Sequence, residues 1–259
     1  MKNKRVFLLH GAPGHGDIWK PIVDMLPADL EVVCPTLEWF GPKTWQRPGE
    51  LFSSEAHCEQ LAELLNEKSH KDNYVAAWSY STHPTLLCLL NHPELVKAAF
   101  LYEPGLSTYL ESAEELDAFQ HSAARAFPPI IEALHEHGNA AAVKALFDSS
   151  GGEGCFEAMS AKRQALYQQS AQMMPLLLGG GQPPANIKSS DLKKITTPVT
   201  VGLGSKSEGH FDVASKRVAA SIPSACLQLQ DGCDHMMPEK APSHFADMLK
   251  NWLNTANLR

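Results

Sequence analysis

A serine, a histidine and a carboxylate in this sequence could together carry out nucleophilic acyl chemistry. A serine hydroxyl is a weak nucleophile until a histidine accepts its proton, a carboxylate orients that histidine, and N–H groups stabilise the oxyanion. Ser79 comes directly after an apolar run, residues 74–78, and directly before a segment with helical character, while His235 follows the last predicted strand. These side chains form a catalytic set only if the fold brings them together.

The residues beside Ser79 suit a sharp turn from a strand into a helix. Such a turn crowds the positions two before and two after the serine, where the usual pattern, Gly-x-Ser-x-Gly, has glycines. Ala77 and Ser81 occupy these positions, so both residues are small although neither is glycine. Two plainer interpretations stay open: Ser79 as an ordinary helix N-cap, and His235 as a histidine of a surface loop.

The composition limits the classes of function. The 259 residues are 44% hydrophobic and 20% charged, enough for one large α/β domain or a core with an inserted lid. The net charge of −7 argues against a nucleic-acid partner. No run approaches the roughly 20 apolar residues of a membrane span, and the apolar run at residues 6–9 is too short for a signal peptide, so we expect no targeting segment. The six cysteines contain no Cys-x-x-Cys pair, which favours reduced thiols in a cytoplasmic protein.

Short apolar runs alternate with helical patterns along most of the chain. The predicted strands cover residues 6–9, 30–34, 74–78, 97–102, 199–203 and 226–229. This alternation predicts an α/β fold with a doubly wound, mostly parallel sheet. Residues 107–187 show only helical patterns, including a capping box that begins at Ser112, and we expect them to form a helical lid. The core would then consist of residues 1–106 and 188–259.

The sequence lacks the usual motifs for nucleotides and metal ions. The loop after the first predicted strand, residues 10–16, contains three glycines but neither the P-loop pattern nor the dinucleotide-binding pattern. No His-x-x-x-His or His/Asp spacing indicates a metal site, so we expect no metal and no cofactor. His15, Trp39 and Met173 are candidates for lining a substrate pocket, with ordinary packing as the alternative for each residue.

Taken in order, these features resemble the α/β-hydrolases, in particular single-domain serine esterases and cofactor-free hydrolases with a helical lid. The matching features span residues 5–255: a His-Gly pair after the first strand, the turn at Ser79, the position of the lid, and a histidine after the last strand. The resemblance implies that Ser79 is the nucleophile and His235 the general base. It also implies that the backbone N–H groups of Ala12 and Tyr80 form the oxyanion hole.

The position of the acid departs from the usual pattern of this family. An aspartate is expected shortly after the strand that follows the lid, but Ser205 stands there, with Glu208 and Asp212 a little further on. A known alternative in the family places the acid after the strand before the lid, where this chain has Glu103. We predict that Glu103 orients His235, with Glu208 and Asp212 as the alternatives.

The expected function is that of a serine hydrolase. It would cleave a small or medium apolar ester, thioester or related carbonyl substrate through an acyl-enzyme. A cofactor-free carbon–carbon hydrolase with the same residues is an alternative, and a non-catalytic receptor for a small ligand is an alternative from another class. Haloalkane dehalogenation is disfavoured because its nucleophile is a carboxylate. The expected partner is a small molecule, and the sequence does not indicate an oligomeric state.

Overall fold

Six parallel strands form the sheet that the alternating pattern predicts. The computed structural model describes residues 4–67 and 72–256. The strands are β1 Lys4–Leu9, β2 Glu31–Val33, β3 Asp72–Trp78, β4 Ala98–Tyr102, β5 Val199–Gly204 and β6 Cys226–Gln230. Their order is β2-β1-β3-β4-β5-β6, and each neighbouring pair is parallel. The predicted doubly wound α/β fold is therefore confirmed.

Helices cover both faces of the sheet. They are α1 Lys20–Val23, α2 Ser54–Asn66, α3 Thr82–Asn91, α4 Ala113–Ala126, α5 Pro128–His137, α6 Asn139–Gly151, α7 Ala161–Gln168, α8 Ser189–Leu192, α9 Gly209–Ser221, α10 Met237–Lys240 and α11 Pro242–Thr255. Side chains alternate along a strand, so Tyr74 and Trp78 of β3 pack in the hydrophobic core on one face of the sheet, and Val75 packs in the core on the other face. Trp252 of α11 packs on the first face, while Leu89 of α3 packs on the second.

The carboxyl ends of the strands gather the candidate residues at one edge of the sheet. Ser79 follows β3, Glu103 follows β4, and His235 lies in the loop after β6. After β1 the chain runs outward to β2 and then crosses back to β3 on the other side of β1. In open parallel sheets, ligands bind at the carboxyl ends near such a reversal. The topology therefore places Ser79 next to the expected binding crevice.

The segment between β4 and β5 adds helices and no strand. Residues 107–187 contain α4 to α7 and end in a π-helical turn, Leu176–Gly180. The capping box predicted at the start of α4 is present: Ser112 Oγ accepts from the Glu115 N–H at 3.1 Å, and Glu115 Oε2 accepts from the Ser112 N–H at 3.1 Å. The segment is therefore helical, as its pattern predicts.

Buried histidines make the stability of this fold sensitive to acid. Burial lowers the pKa of His10 to about 3 and the pKa values of His57, His83 and His210 to about 4. Between pH 6.5 and these values the unfolded chain binds protons that the folded chain does not, so the free energy of unfolding falls as pH falls. We expect urea unfolding to show a loss of roughly 1 kcal/mol per histidine between pH 7.5 and 5.5. An unchanged free energy of unfolding over this range would contradict the burial of neutral imidazoles.

Candidate active site

Ser79 occupies a strained turn that the surrounding atoms hold in place. Its φ angle is +57°, in the left-handed region that side-chain-bearing residues rarely adopt. Ser81 Oγ donates to the carbonyl oxygens of Leu9 at 3.0 Å and Trp78 at 3.1 Å, which ties the turn to β1 and β3. A Cβ atom on Gly11 would lie 3.0 Å from Cβ of Ser79, so a larger residue at position 11 would press against the turn. The serine at position 81 thus fits the crowded turn and also anchors it.

A continuous chain of hydrogen bonds joins Ser79, His235 and Glu103. Ser79 Oγ lies 2.9 Å from His235 Nε2, and His235 Nδ1 lies 2.7 Å from Glu103 Oε2. Because an ionised carboxylate only accepts hydrogen bonds, Nδ1 carries the proton and Nε2 is left to accept from the serine hydroxyl. Glu103 is 0% exposed and His235 is 4% exposed, so the hydrogen bond between them lies away from bulk water, while Ser79 keeps partial exposure.

Glu103 is held by two further hydrogen bonds from the end of β5. The backbone N–H of Gly204 donates to Glu103 Oε1 at 2.8 Å, and the Ser207 hydroxyl donates to the same oxygen. The φ angle of Glu103 is +56°, so two of the three non-glycine residues with positive φ in the described ranges belong to this chain of hydrogen bonds. Strained backbone persists where its surroundings over-determine it, which is common at functional sites.

The alternative carboxylates lie elsewhere. Asp212 pairs with Lys216 Nζ at 2.8 Å on the surface of α9, and Glu208 faces a separate hollow that Arg125 also lines. Ser205, at the usual position of the acid, accepts from the Gly232 N–H at 2.8 Å. Of the three carboxylates considered from the sequence, the structure brings Glu103 alone to His235.

Aromatic residues fix the loop and the ring of His235. Trp78 Nε1 donates to the His235 carbonyl oxygen at 3.0 Å, and the Tyr102 hydroxyl donates to the Asp234 carbonyl oxygen at 2.8 Å. The Phe211 ring stacks on the imidazole with centroids 3.7 Å apart and planes 9° apart. Sequence reasoning missed Phe211, because no local pattern indicates that the start of α9 packs against the loop after β6.

Phe211→Leu is expected to lower kcat, because leucine fills the space but offers no flat face to hold the imidazole. An aromatic stack contributes roughly 0.5–1.5 kcal/mol, which corresponds to a loss of about 2- to 10-fold. Phe127→Leu is the matched control, since Phe127 lines the same cavity and contacts His210 instead. Steady-state kinetics on one ester would check this, and equal losses for the two variants would contradict a specific role for Phe211.

The two backbone groups predicted for the oxyanion hole lie beside Ser79. Ala12 is in the turn after β1, and Tyr80 is in the first turn of a 3-10 helix, Ser79–Ser81; both residues line the cavity that contains Ser79. N–H groups in a first helical turn have no partner within the helix, so they are available to an anion. The Tyr80 side chain is engaged elsewhere, because its hydroxyl lies 2.7 Å from His57 Nδ1.

A cavity of about 440 Å³ has Ser79 and His235 in its wall. This volume is within the range of roughly 300–1,000 Å³ that is usual for small-molecule sites. The segment between β4 and β5 supplies most of its apolar lining: Phe127, Ile130, Leu146, Leu176, Leu177 and Leu178. The cavity can therefore take an apolar group next to the serine hydroxyl.

Three residues considered for the pocket are packed elsewhere. Trp39 is 1% exposed, and its Nε1 donates to backbone carbonyls of a loop, including that of Arg47 at 3.2 Å. Met173 is 0% exposed in the core cluster, and His15 Nε2 donates to the Leu166 carbonyl at 3.2 Å. None of the three lines the cavity that contains Ser79. Their apolar or aromatic character reflects packing between the loop after β2, the helical segment and the sheet.

Donor groups that could hold a metal ion occur together away from this cavity. Within the described ranges, Cys58, Glu59 and His92 form the one group of three whose ligand atoms lie within 4.8 Å of one another. Cys58 and Glu59 belong to α2, and His92 follows α3. No residue of this group lines the cavity at Ser79.

Comparisons with known proteins agree with this architecture. Residues 6–247 match the α/β hydrolase family, and the chain belongs to that family. Its fold is similar to that of MenH from S. aureus, with a TM-score of 0.76 and 18% identity over 99% of this chain and 96% of that one. It is also similar to the esterase RhEst1 from Rhodococcus sp. ECU1013, with a TM-score of 0.75 and 20% identity over 98% and 91% of the two chains. A third similar structure is a proline iminopeptidase from Mycobacterium smegmatis, with a TM-score of 0.72 and 14% identity over 99% and 91%.

Among the described residues, none of the helices has the length and apolar character needed to cross a bilayer.

Proposed function

We propose that this protein is a serine hydrolase that cleaves small or medium apolar esters or thioesters through an acyl-enzyme. The observation that carries the proposal is the hydrogen-bonded chain Ser79–His235–Glu103 at the wall of an apolar cavity. Family membership adds to it, and two structures of similar fold are described as esterases. Because fold alone does not define an activity, the proposal depends on the geometry of these side chains.

The mechanism follows from the positions of the protons. As Ser79 Oγ attacks the carbonyl carbon, its proton moves to His235 Nε2, and Glu103 stabilises the imidazolium that results. The oxyanion receives hydrogen bonds from the N–H groups of Ala12 and Tyr80. His235 then gives the proton to the departing alkoxide or thiolate. A water molecule attacks the acyl-enzyme by the same route and restores Ser79.

Residues 107–187 act as a lid that sets substrate preference rather than chemistry. Its leucines line the cavity, whereas Ser79, His235 and Glu103 come from the core on either side. An acyl chain that enters the cavity leaves water, and each buried methylene contributes about 0.8 kcal/mol. Longer apolar acyl groups should therefore be favoured until the cavity is full.

Leu177→Trp is expected to shorten the preferred acyl chain, because the indole would occupy cavity space. Relative to p-nitrophenyl acetate, kcat/KM for p-nitrophenyl hexanoate should fall by roughly tenfold or more, the equivalent of two buried methylenes. Leu229→Trp, at a position on β6 that is 60% exposed, is the control. A preference that stays unchanged in Leu177→Trp would contradict the role of the lid.

Turnover of simple esters tests the proposed function as a whole. Purified protein should hydrolyse p-nitrophenyl acetate and p-nitrophenyl butyrate with saturation kinetics, and a Ser79→Ala preparation gives the background. Binding of such esters without turnover would instead indicate a non-catalytic receptor and would overturn the proposal.

A further inference from the structure

His210 differs from the other buried histidines of the described ranges in its hydrogen bonding. Six histidines are buried: His10, His15, His57, His83, His210 and His235. Five of them have a hydrogen-bond partner within the described residues at both ring nitrogens. His210 has one such partner: its Nδ1 lies 3.0 Å from Ser122 Oγ. Its Nε2 is therefore the ring nitrogen that remains available to a ligand.

His210 keeps accessible surface in the wall of the cavity. The residue is 4% exposed and lines the cavity together with Ser79 and His235. Nε2 has no hydrogen-bond partner among the described residues and is not fully buried, so it keeps accessible surface. The cavity is the space that His210 lines. His83 lines the same cavity but uses both nitrogens, on the Tyr109 hydroxyl and the Ala185 carbonyl.

Ser122 determines which nitrogen of His210 carries the proton. The Ser122 hydroxyl is 2% exposed, and its one hydrogen-bond partner in the described ranges is His210 Nδ1. A buried hydroxyl that donated nothing would cost about 1–3 kcal/mol, so the Ser122 O–H donates and Nδ1 accepts. Burial, and then repulsion from His235, lower the pKa of His210 to about 4, so the ring is neutral near pH 7. A neutral ring that accepts at Nδ1 presents an N–H donor at Nε2.

One aromatic ring separates His210 from the reacting centre. The Phe211 ring lies 4.1 Å from the His210 ring and 3.7 Å from the His235 ring, measured between centroids. A substrate held at Ser79 would therefore have to extend past the Phe211 ring for a second group to reach Nε2 of His210.

We propose that the N–H at Nε2 of His210 binds an oxygen acceptor of the substrate, a carbonyl or ether oxygen a few atoms from the scissile carbonyl. This inference rests on the proposed hydrolase function and narrows its substrate class to esters or thioesters that carry a second oxygen. Because the wall of the cavity is mainly apolar, the N–H at Nε2 of His210 would lose its hydrogen bond to water when a substrate without an acceptor fills the cavity, and this makes the donor selective.

Two matched substrate pairs test this inference on the full chain. p-Nitrophenyl levulinate and p-nitrophenyl pentanoate differ by an acyl-side carbonyl, and acetonyl butyrate and propyl butyrate differ by a carbonyl on the alcohol side. Each ratio of kcat/KM is divided by the ratio of the hydroxide-catalysed rates. We expect the corrected ratio of one pair to favour the oxo ester by about 3- to 10-fold, the effect of one uncharged hydrogen bond. A corrected ratio near one for both pairs would overturn the inference.

A double variant assigns the preference to His210. Ser122→Ala with His210→Phe removes the donor and also the hydroxyl that would lose its partner, and the new ring sits beside Phe119 and Phe211. The preference should disappear in this variant and persist in Phe127→Leu, whose side chain also contacts His210. Ser122→Ala with His210→Leu is a second apolar variant if the first does not fold. Persistence of the preference in the folded double variant would overturn the inference.

Failure of the inference and failure of the proposed function give different results. If the protein hydrolyses the pentanoate and propyl esters without an oxo preference, the proposed function stands and only the assignment of His210 fails. If it hydrolyses none of the four esters, both the proposed function and the assignment fail.

Discussion

Ser79→Ala is expected to lower kcat for p-nitrophenyl butyrate by roughly 10³-fold or more while the protein stays folded. The alanine removes the one hydroxyl that lies 2.9 Å from His235 Nε2, and no acyl-enzyme can then form at this position. The fold should persist because Ser81, not the hydroxyl of Ser79, supplies the hydrogen bonds from the turn to β1 and β3.

Ser150→Ala is the matched control for this experiment. Ser150 lies in α6 and lines the same cavity, so its removal changes a cavity hydroxyl without touching His235. Its kcat should stay close to that of the wild type. A Ser79→Ala enzyme with near wild-type kcat, at equal purity and melting temperature, would show that another group performs the attack.

Glu103→Gln is expected to cost about 10³- to 10⁴-fold in kcat, because the amide disturbs the tautomer of His235. The carboxylate accepts at one oxygen from His235 and at the other from Gly204 and Ser207. A glutamine has only one side-chain oxygen. If this oxygen accepts from Gly204 and Ser207, the NH₂ group faces Nδ1 of His235 and favours the imidazole that is protonated at Nε2. That imidazole cannot accept the proton of Ser79.

Two other carboxylate variants provide the comparison for Glu103. Glu208→Gln and Asp212→Asn should have mild effects, since Asp212 pairs with Lys216 and Glu208 faces a separate hollow. Steady-state kinetics of all three variants, with circular dichroism to verify folding, would check the assignment. Near wild-type rates for Glu103→Gln, together with an inactive Glu208 or Asp212 variant, would contradict the assignment of Glu103. They would indicate that the acid follows β5, as is usual in the family.

The parts of the fold that local patterns define could be predicted from the sequence. Apolar runs of strand length and helical periodicity depend on neighbouring residues, so the order of strands and helices followed from them. The position of Ser79 followed in the same way, from an apolar run, small flanking residues and a helix. The proximity of Glu103 to His235 could be predicted because the position of Ser205 lacks an acid, and because parallel strands bring their carboxyl ends to one edge.

Contacts between distant segments could not be predicted from these patterns. Phe211 and His210 begin α9, yet their partners lie in the loop after β6 and in α4. Trp39 and Met173 were candidates for the pocket because aromatic and thioether side chains suit both pockets and cores. Which of the two applies depends on packing between segments far apart in the chain, and here both residues are in the core.

Labelling with a fluorophosphonate probe tests the central claim most directly, because the probe reacts with a serine hydroxyl that a histidine activates. The wild-type protein should gain the mass of one adduct, and peptide mapping should place it on Ser79. His235→Ala should label far more slowly, since no other described side chain is within hydrogen-bonding distance of Ser79 Oγ to accept its proton. An adduct on any other serine, or an unlabelled protein that still hydrolyses esters, would contradict the assignment of Ser79 as the nucleophile.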